Sequence, residues 1–280
     1  MLTIHLMGGL GNQLFQVFTL IATSIKHKTS FFFLDDMVQL RNDRPFYWEN
    51  FLANLAIFRR NNVVHTMYRE KSHSYNAIEL PQADRNSNED INIKLFGYFQ
   101  SYKYFDEYKD TLFKLIHLEE HKQGLIDKYK LNKEQFENVV SLHFRIGDYV
   151  KLPAHHPVLS LNFYKKAIDQ LIQTTKRADW TILYFYETQN KDYVKNNIAV
   201  LQNTYPGLLF EPASEEMCDW EHLLTMSLCR HNIIANSSFS WWGAYMNTNN
   251  NKVFYPETWF GPAEIHKNTS DMFLSDWLMV

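Results

Sequence analysis

The chain has little that would staple, anchor or metallate it. It holds two cysteines in 280 residues, Cys218 and Cys229. They form no Cys-x-x-Cys pair, which excludes a disulfide framework, a zinc module and a thioredoxin-like motif; reduced thiols on one helical stretch are expected. No charge of one sign prevails, since 28 basic against 31 acidic residues leave a net charge of −3. A broad electrostatic reason to bind nucleic acid is therefore missing, and no nucleic-acid partner is expected. Long apolar runs are missing too. The longest, Leu14–Ile25, is interrupted by Gln16, Thr19, Thr23 and Ser24 and is too short to cross a bilayer. Met1–Leu6 lacks the basic region of a secretory signal. The expectation is a cytoplasmic protein, with peripheral contact at the inner face of a membrane left open. Metal ligands are also scarce: there is no Asp-x-Asp triplet, and Asp35-Asp36, Asp219-Trp220-Glu221 and His155-His156 lack partners at ligand spacing. No metal and no cofactor are expected.

What is present is an ordinary folded composition, 45% hydrophobic and 21% charged, with chain enough for one large or two ordinary domains. Aromatic residues reach 16%. Most of those rings belong in the core, and the remainder suits a sugar-binding cleft. The pattern begins with a strand at Leu2–Leu6, a glycine turn at Gly8–Asn12, a helix from Gln13 to Lys26 and a strand at Phe31–Leu34. Residues 37 to 135 are harder to read, with a polar loop at Gln82–Asp90 and helical periodicity over Asp106–Lys130. A polar stretch at Lys133–Asn138 marks the expected boundary between halves at 1–135 and 136–280.

The second half alternates regularly. Strands are expected at Val139–Phe144, Trp180–Tyr186, Leu208–Phe210, Asn232–Ala235 and Val253–Tyr255. Helices are expected at Leu161–Lys176 (Ser160 as N-cap), Lys191–Gln202, Asp219–Cys229 and Phe239–Asn247. Such alternation predicts a parallel sheet covered on both faces, and ligands of such sheets bind beyond the carboxyl ends of the strands. Standing there are Arg145 and Asp148, then Glu187, then Glu211, then Asn236-Ser237-Ser238-Phe239-Ser240.

Each of these has a bland reading beside the functional one. The Ser237–Ser240 segment ends a strand and starts a helix, whose free N–H groups form an anion site; a serine there also serves as a plain N-cap. Arg145 carries a rigid fork suited to a diphosphate, or pairs structurally with Asp148. His143 shares Arg145's face of the strand and reads either as a contact to base or phosphate or as a satisfied core histidine. Trp241 and Trp242 fit packing on the sheet. The Gly9-Leu10-Gly11 turn has Leu14 where a dinucleotide fingerprint needs its third glycine and has no P-loop lysine, so by itself it reads as a tight connection offering the Asn12 and Gln13 amides.

Three segments nevertheless resemble the motifs of the α-1,2-fucosyltransferases: Gly8 to Gln16, His143-Phe144-Arg145-Ile146-Gly147-Asp148-Tyr149-Val150, and Ile233 to Ala244 with its Ser237-Ser238-Phe239-Ser240-Trp241-Trp242 centre. They start, bisect and nearly finish the chain. The resemblance implies an α/β, GT-B-like fold of two Rossmann-type halves, with an acceptor-side N-terminal half and a GDP-sugar-binding C-terminal half. It further implies inverting, metal-independent transfer of L-fucose from GDP-fucose to the 2-hydroxyl of a galactose-terminated glycan. His143 and Arg145 would contact the nucleotide and its β-phosphate, and Ser237, Ser238, Phe239 and Ser240 the diphosphate; Asn12 would lie near both the phosphate and the acceptor as a catalytic residue, with Gln13 on the acceptor side. Asp148 is the candidate base. The chain departs from the motifs at Ile146, where a second arginine is usual, and at Phe185-Tyr186-Glu187-Thr188, where Phe-Ser-Asp-Asp is common. Only Glu187 is then left to read guanine. Transfer to another linkage, use of GDP-mannose, and a non-catalytic nucleotide- or carbohydrate-binding module stand as alternatives.

Overall fold

In the computed structural model, the described residues are all but 36–44, 62–63, 81–91 and 250. Asp36 and the loop Gln82–Asp90 lie outside them. The chain divides into two compact units, Met1–His121 with Lys267–Leu274 and Lys122–His266 with Ser275–Val280. The division falls inside a helix and ahead of Lys133–Asn138, and a short C-terminal piece returns to the first unit.

In the first unit, β1 (Leu2–Ile4) leads into α1 (Leu10–Lys26). The helix begins earlier than Gln13 because Gly9, in extended conformation, stands at its N-cap. Asn12 and Gln13 therefore lie in its first turn and not in the loop. Every residue of Leu10–Ser24 except Asn12 is buried, the polar Gln13, Gln16, Thr19, Thr23 and Ser24 included. Then come β2 (Phe33–Leu34), β3 (Arg59–Arg60), β4 (Thr66–Arg69) and β5 (Ile93–Phe96). Strands β1, β5 and β4 form one parallel sheet in that order, and β2 pairs with β3. The expected long helix over Asp106–Lys130 is broken into a 3-10 turn at Asp106–Tyr108, α2 (Lys109–Leu115) and α3 (Leu118–Tyr129). His117 causes the last break: its φ of 53° is left-handed and cannot continue a right-handed helix.

The second unit holds β6 (Val139–His143), α4 (Leu161–Thr175), β7 (Thr181–Phe185), α5 (Lys191–Thr204), β8 (Leu209–Pro212) and α6 (Asp219–Leu228). It continues with β9 (His231–Ile233), α7 (Ser238–Tyr245), β10 (Val253–Tyr255) and β11 (Leu278–Met279). Ser160 does stand at the N-cap of α4, although its hydroxyl makes no capping bond. The cysteines bracket α6 from its two ends and are both free, instead of sharing neighbouring turns. Helix α7 stops short of Asn247, whose side chain turns back to donate to the Cys229 carbonyl (2.6 Å) and to Asn232 Oδ1 (2.9 Å).

All six strands are parallel, in the order β11-β10-β9-β6-β7-β8. The chain enters at the centre with β6, winds outward to β8, and then returns across β6 to build the other side from β9. Connections thus leave β6 and β9 in opposite directions, which makes their carboxyl ends the switch point at which open parallel sheets bind ligands. Core residues on these strands, such as Val140, Leu142, Ile182, Ile233 and Phe254, are fully buried, as a sheet covered on both faces requires.

Candidate functional site

The turn after β6 carries Arg145, whose side chain is only 13% exposed. Strand β7 lies beside β6 with His143 opposite Phe185, so Arg145 and Glu187 stand at matching positions two residues beyond. They pair: Arg145 Nη1 donates to Glu187 Oε1, and Nη2 donates to Asp148 Oδ1. The guanidinium also lies over the Tyr149 ring, 4.6 Å from its centroid. Burial works against the charge of Arg145, but the neighbouring Glu187, Tyr149 and Asp148 outweigh it and hold the group firmly protonated. The structural pair weighed for Asp148 is therefore present, and a second carboxylate shares it. Glu187 is fixed from its other side as well, because Oε2 accepts from Gln189 Nε2 at 2.9 Å. Gly147 makes room for it. A Cβ there would stand 2.0 Å from Glu187 Oε2, and the residue has φ +31°, so only glycine suits. Glu211, by contrast, lies within β8 and is exposed.

The turn after β9 leads into α7 with Ser237 as N-cap; its hydroxyl accepts from the Phe239 N–H at 3.3 Å. The N-cap reading of Ser237 holds, and the N–H groups of Ser238 and Ser240 lie in the first turn that it starts. Two tyrosine and histidine contacts join this turn to Arg145. Tyr149 Oη donates to the Asn236 carbonyl at 3.0 Å, and the His143 and Phe239 rings lie 5.7 Å apart. The sequence gives Tyr149 and Asn236 no role of their own. Tyr149 lies in the 3-10 turn Gly147–Lys151 that follows Arg145.

Two buried polar atoms at the ends of β6 and β9 have no hydrogen-bond partner, Nδ1 of His143 and Oδ1 of Asn236. The Asn236 amide nitrogen is engaged by the Pro157 and Trp259 carbonyls, at 2.9 and 3.2 Å. An orphaned buried polar atom costs about 1–3 kcal/mol, so such atoms are favoured where a ligand completes them. Trp241 and Trp242, on the following turn, are fully buried and pack as core.

Burial, with Arg145 and His222 adding, pushes His143 down to about 3, and burial with nearby cations pushes His231 down to about 4. Both rings are ordinary in the unfolded chain at 6.5. Unfolded protein therefore takes up protons that folded protein refuses between pH 6.5 and 4. Stability should be full above pH 6.5 and fall on acidification, by about 1.4 kcal/mol per pH unit for each ring. Urea midpoints at pH 7 and pH 4.5 check this; equal midpoints would contradict it.

In the first unit, Gln13 is buried and donates from Nε2 to the Gly8 and Pro45 carbonyls, at 3.0 and 2.9 Å. It holds the glycine turn in shape. Asn12 accepts at Oδ1 from Gln100 Nε2 at 2.7 Å. Gly8 has φ +79°, and a Cβ on it would come 2.4 Å from Asn12 Nδ2. Among the described residues no group of three or more His, Cys, Asp or Glu is arranged to hold a metal, and no helix is long and apolar enough to cross a membrane.

The profile of glycosyl transferase family 11 matches residues 1–280. The O-antigen biosynthesis glycosyltransferase WbnK of Escherichia coli is 30% identical over 190 residues, 65% of this chain and 60% of that protein. An alpha-1,2-colitosyltransferase of Escherichia coli is 25% identical over 99% of this chain and 97% of its own length. A galactoside alpha-(1,2)-fucosyltransferase 1 of Alouatta caraya is 23% identical over 87% of this chain, which spans 64% of that relative. Among solved structures, a variant of Arabidopsis thaliana FUT1 in complex with GDP superposes with a TM-score of 0.51 over 98% of this chain and 74% of that one, at 12% identity. The shared architecture is the GT-B type of parallel α/β fold.

Proposed function

The chain belongs to glycosyl transferase family 11 and is a glycosyltransferase of its α-1,2-fucosyltransferase group, and from that premise we propose that it moves L-fucose from GDP-fucose to the 2-hydroxyl of a terminal galactoside, with inversion and without a metal. The observation that carries the proposal is the placing of Arg145 and the start of α7 on the two strands that flank the switch point of the second sheet. The second unit binds the donor, and the first serves the acceptor through Asn12. The solved relative with the same fold holds GDP, which agrees with a guanosine diphosphate donor.

In this reading the β-phosphate replaces a carboxylate on Arg145 and receives N–H groups from the first turn of α7. As the bond from the sugar to the diphosphate breaks, negative charge gathers on the leaving oxygen and positive charge on the ring. Donors already fixed at that oxygen stabilise it without rearranging, which is the part a metal would otherwise take. His143, neutral at working pH, offers its unpartnered Nδ1 to the nucleotide. Asp148, released from Arg145 when the diphosphate binds, is the candidate to accept the proton of the acceptor hydroxyl. A transition state with much bond breaking needs only a weak base.

Glu187 is assigned to Arg145 and not to guanine, since both its oxygens are already engaged by Arg145 and Gln189. Calorimetry separates the two roles. Wild-type protein should bind GDP-fucose and GDP and leave UDP-galactose unbound, and Glu187→Gln should change GDP and ADP affinity by the same factor. Preference for UDP-galactose would overturn the donor assignment. A loss confined to GDP would return guanine reading to Glu187. A colitosyl donor is the second reading, because the colitosyltransferase matches nearly end to end. Colitose lacks the 3-hydroxyl of fucose, so turnover with each donor in parallel distinguishes them.

A further inference from the structure

Arg145 needs a support that survives the arrival of its ligand. Glu187 and Asp148 take its Nη1 and Nη2, and a diphosphate would compete for those same donors. Neither carboxylate can therefore fix the guanidinium while it works. The ring of Tyr149 can. It lies against the central carbon of the guanidinium, 4.6 Å from the ring centroid. That is an attraction between cation and ring, which an anion at the Nη groups does not displace.

Tyr149 is fixed in turn by a closed circuit of contacts within the second unit. From the 3-10 turn Gly147–Lys151, its hydroxyl donates to the Asn236 carbonyl at 3.0 Å, in the turn between β9 and α7. The Asn236 side chain donates onward to the Pro157 carbonyl at 2.9 Å. His156, the residue before that proline, stacks on the Tyr149 ring, with centroids 4.8 Å and planes 20° apart, and so closes the circuit. Backbone carbonyls only accept, so both hydrogen bonds have one possible direction and depend on no histidine tautomer. We propose that Tyr149 is a positioning residue that holds the Arg145 guanidinium at a fixed place relative to the first turn of α7, so that the two act on the β-phosphate as one site. The inference rests on the reading that Arg145 meets the β-phosphate.

The test compares the affinity of the full chain for GDP and for GMP, which lacks the β-phosphate, by calorimetry with a thermal melt beside each variant. Tyr149→Phe keeps the ring and loses the bond to Asn236. It should weaken GDP binding about fivefold, the size of one neutral hydrogen bond. Tyr149→Leu loses the ring as well and should weaken GDP binding about thirtyfold, a cation–π contact being lost too. GMP affinity should stay unchanged in both. Added to Arg145→Ala, Tyr149→Leu should cost GDP binding nothing further, because no guanidinium is left to hold. Tyr149→Phe decides the matter where Tyr149→Leu does not fold. Loss of GDP and GMP affinity by the same factor would leave Tyr149 a purely structural residue and overturn the proposal. Losses that multiply with Arg145→Ala would overturn it as well. Equal affinity of the wild-type protein for GDP and GMP would instead overturn the β-phosphate reading of Arg145, and the proposal with it.

Discussion

Arg145→Ala is expected to lower glycosyl transfer about 10²–10³-fold, the usual loss when one donor to a developing negative charge is removed. Two effects add. The fork that would meet the β-phosphate is gone, and the carboxylates of Glu187 and Asp148, which it neutralises, then face the diphosphate as bare charges. Both KM for the donor and kcat should therefore suffer. The protein should stay folded, because the carboxylate side chains are 30% and 53% exposed and water can take over their hydrogen bonds. Arg145→Lys should recover part of the loss, keeping the charge but not the two-pronged geometry. Steady-state kinetics beside a thermal melt separate chemistry from folding, and near-normal turnover by a folded Arg145→Ala protein would sink the assignment.

The second large effect falls on stability. Trp241→Ala should destabilise the fold by about 3–5 kcal/mol, the range for truncating a large buried aromatic residue. The Trp241 ring is fully buried; it stacks on Tyr245 at 4.9 Å and meets Trp242 and Trp277 at 5.2 and 5.5 Å. A whole domain is held by only about 5–15 kcal/mol, so this one cavity removes a large share. It also removes the anchor of the helix whose first turn is the proposed diphosphate contact, so GDP binding should weaken together with the melting temperature. Trp241→Phe, which leaves a smaller void, should lose less of both. A melting temperature unchanged by Trp241→Ala would contradict the packing described.

How much of this the residues announced depends on how local the cause is. Five of the six strands of the second unit are readable because parallel strands buried on both faces appear as short apolar runs between helical segments, whereas the two-residue edge strand β11 is too short to show a pattern. Arg145 and the Ser237 turn were readable because they follow such runs directly. The Arg145–Glu187 pair was not, although it needed only one more fact: with His143 opposite Phe185, two further residues on each strand bring those side chains together. Strand order depends on how the helices pack, and no residue announces it. The first unit was opaque for the same reason. Its strands are short, its glycine turn looked longer than it is because α1 starts at Leu10, and the link from Asn12 through Gln100 to His73 joins stretches of chain far apart in sequence.

The most direct measurement is to incubate the protein with GDP-fucose, a terminal β-galactoside and excess EDTA, and to determine the product's linkage and anomeric configuration by NMR. An α-1,2-fucosylated galactoside is expected, formed at the same rate with and without the chelator. A different linkage, retention of configuration, or activity that vanishes with EDTA and returns with magnesium or manganese would contradict it.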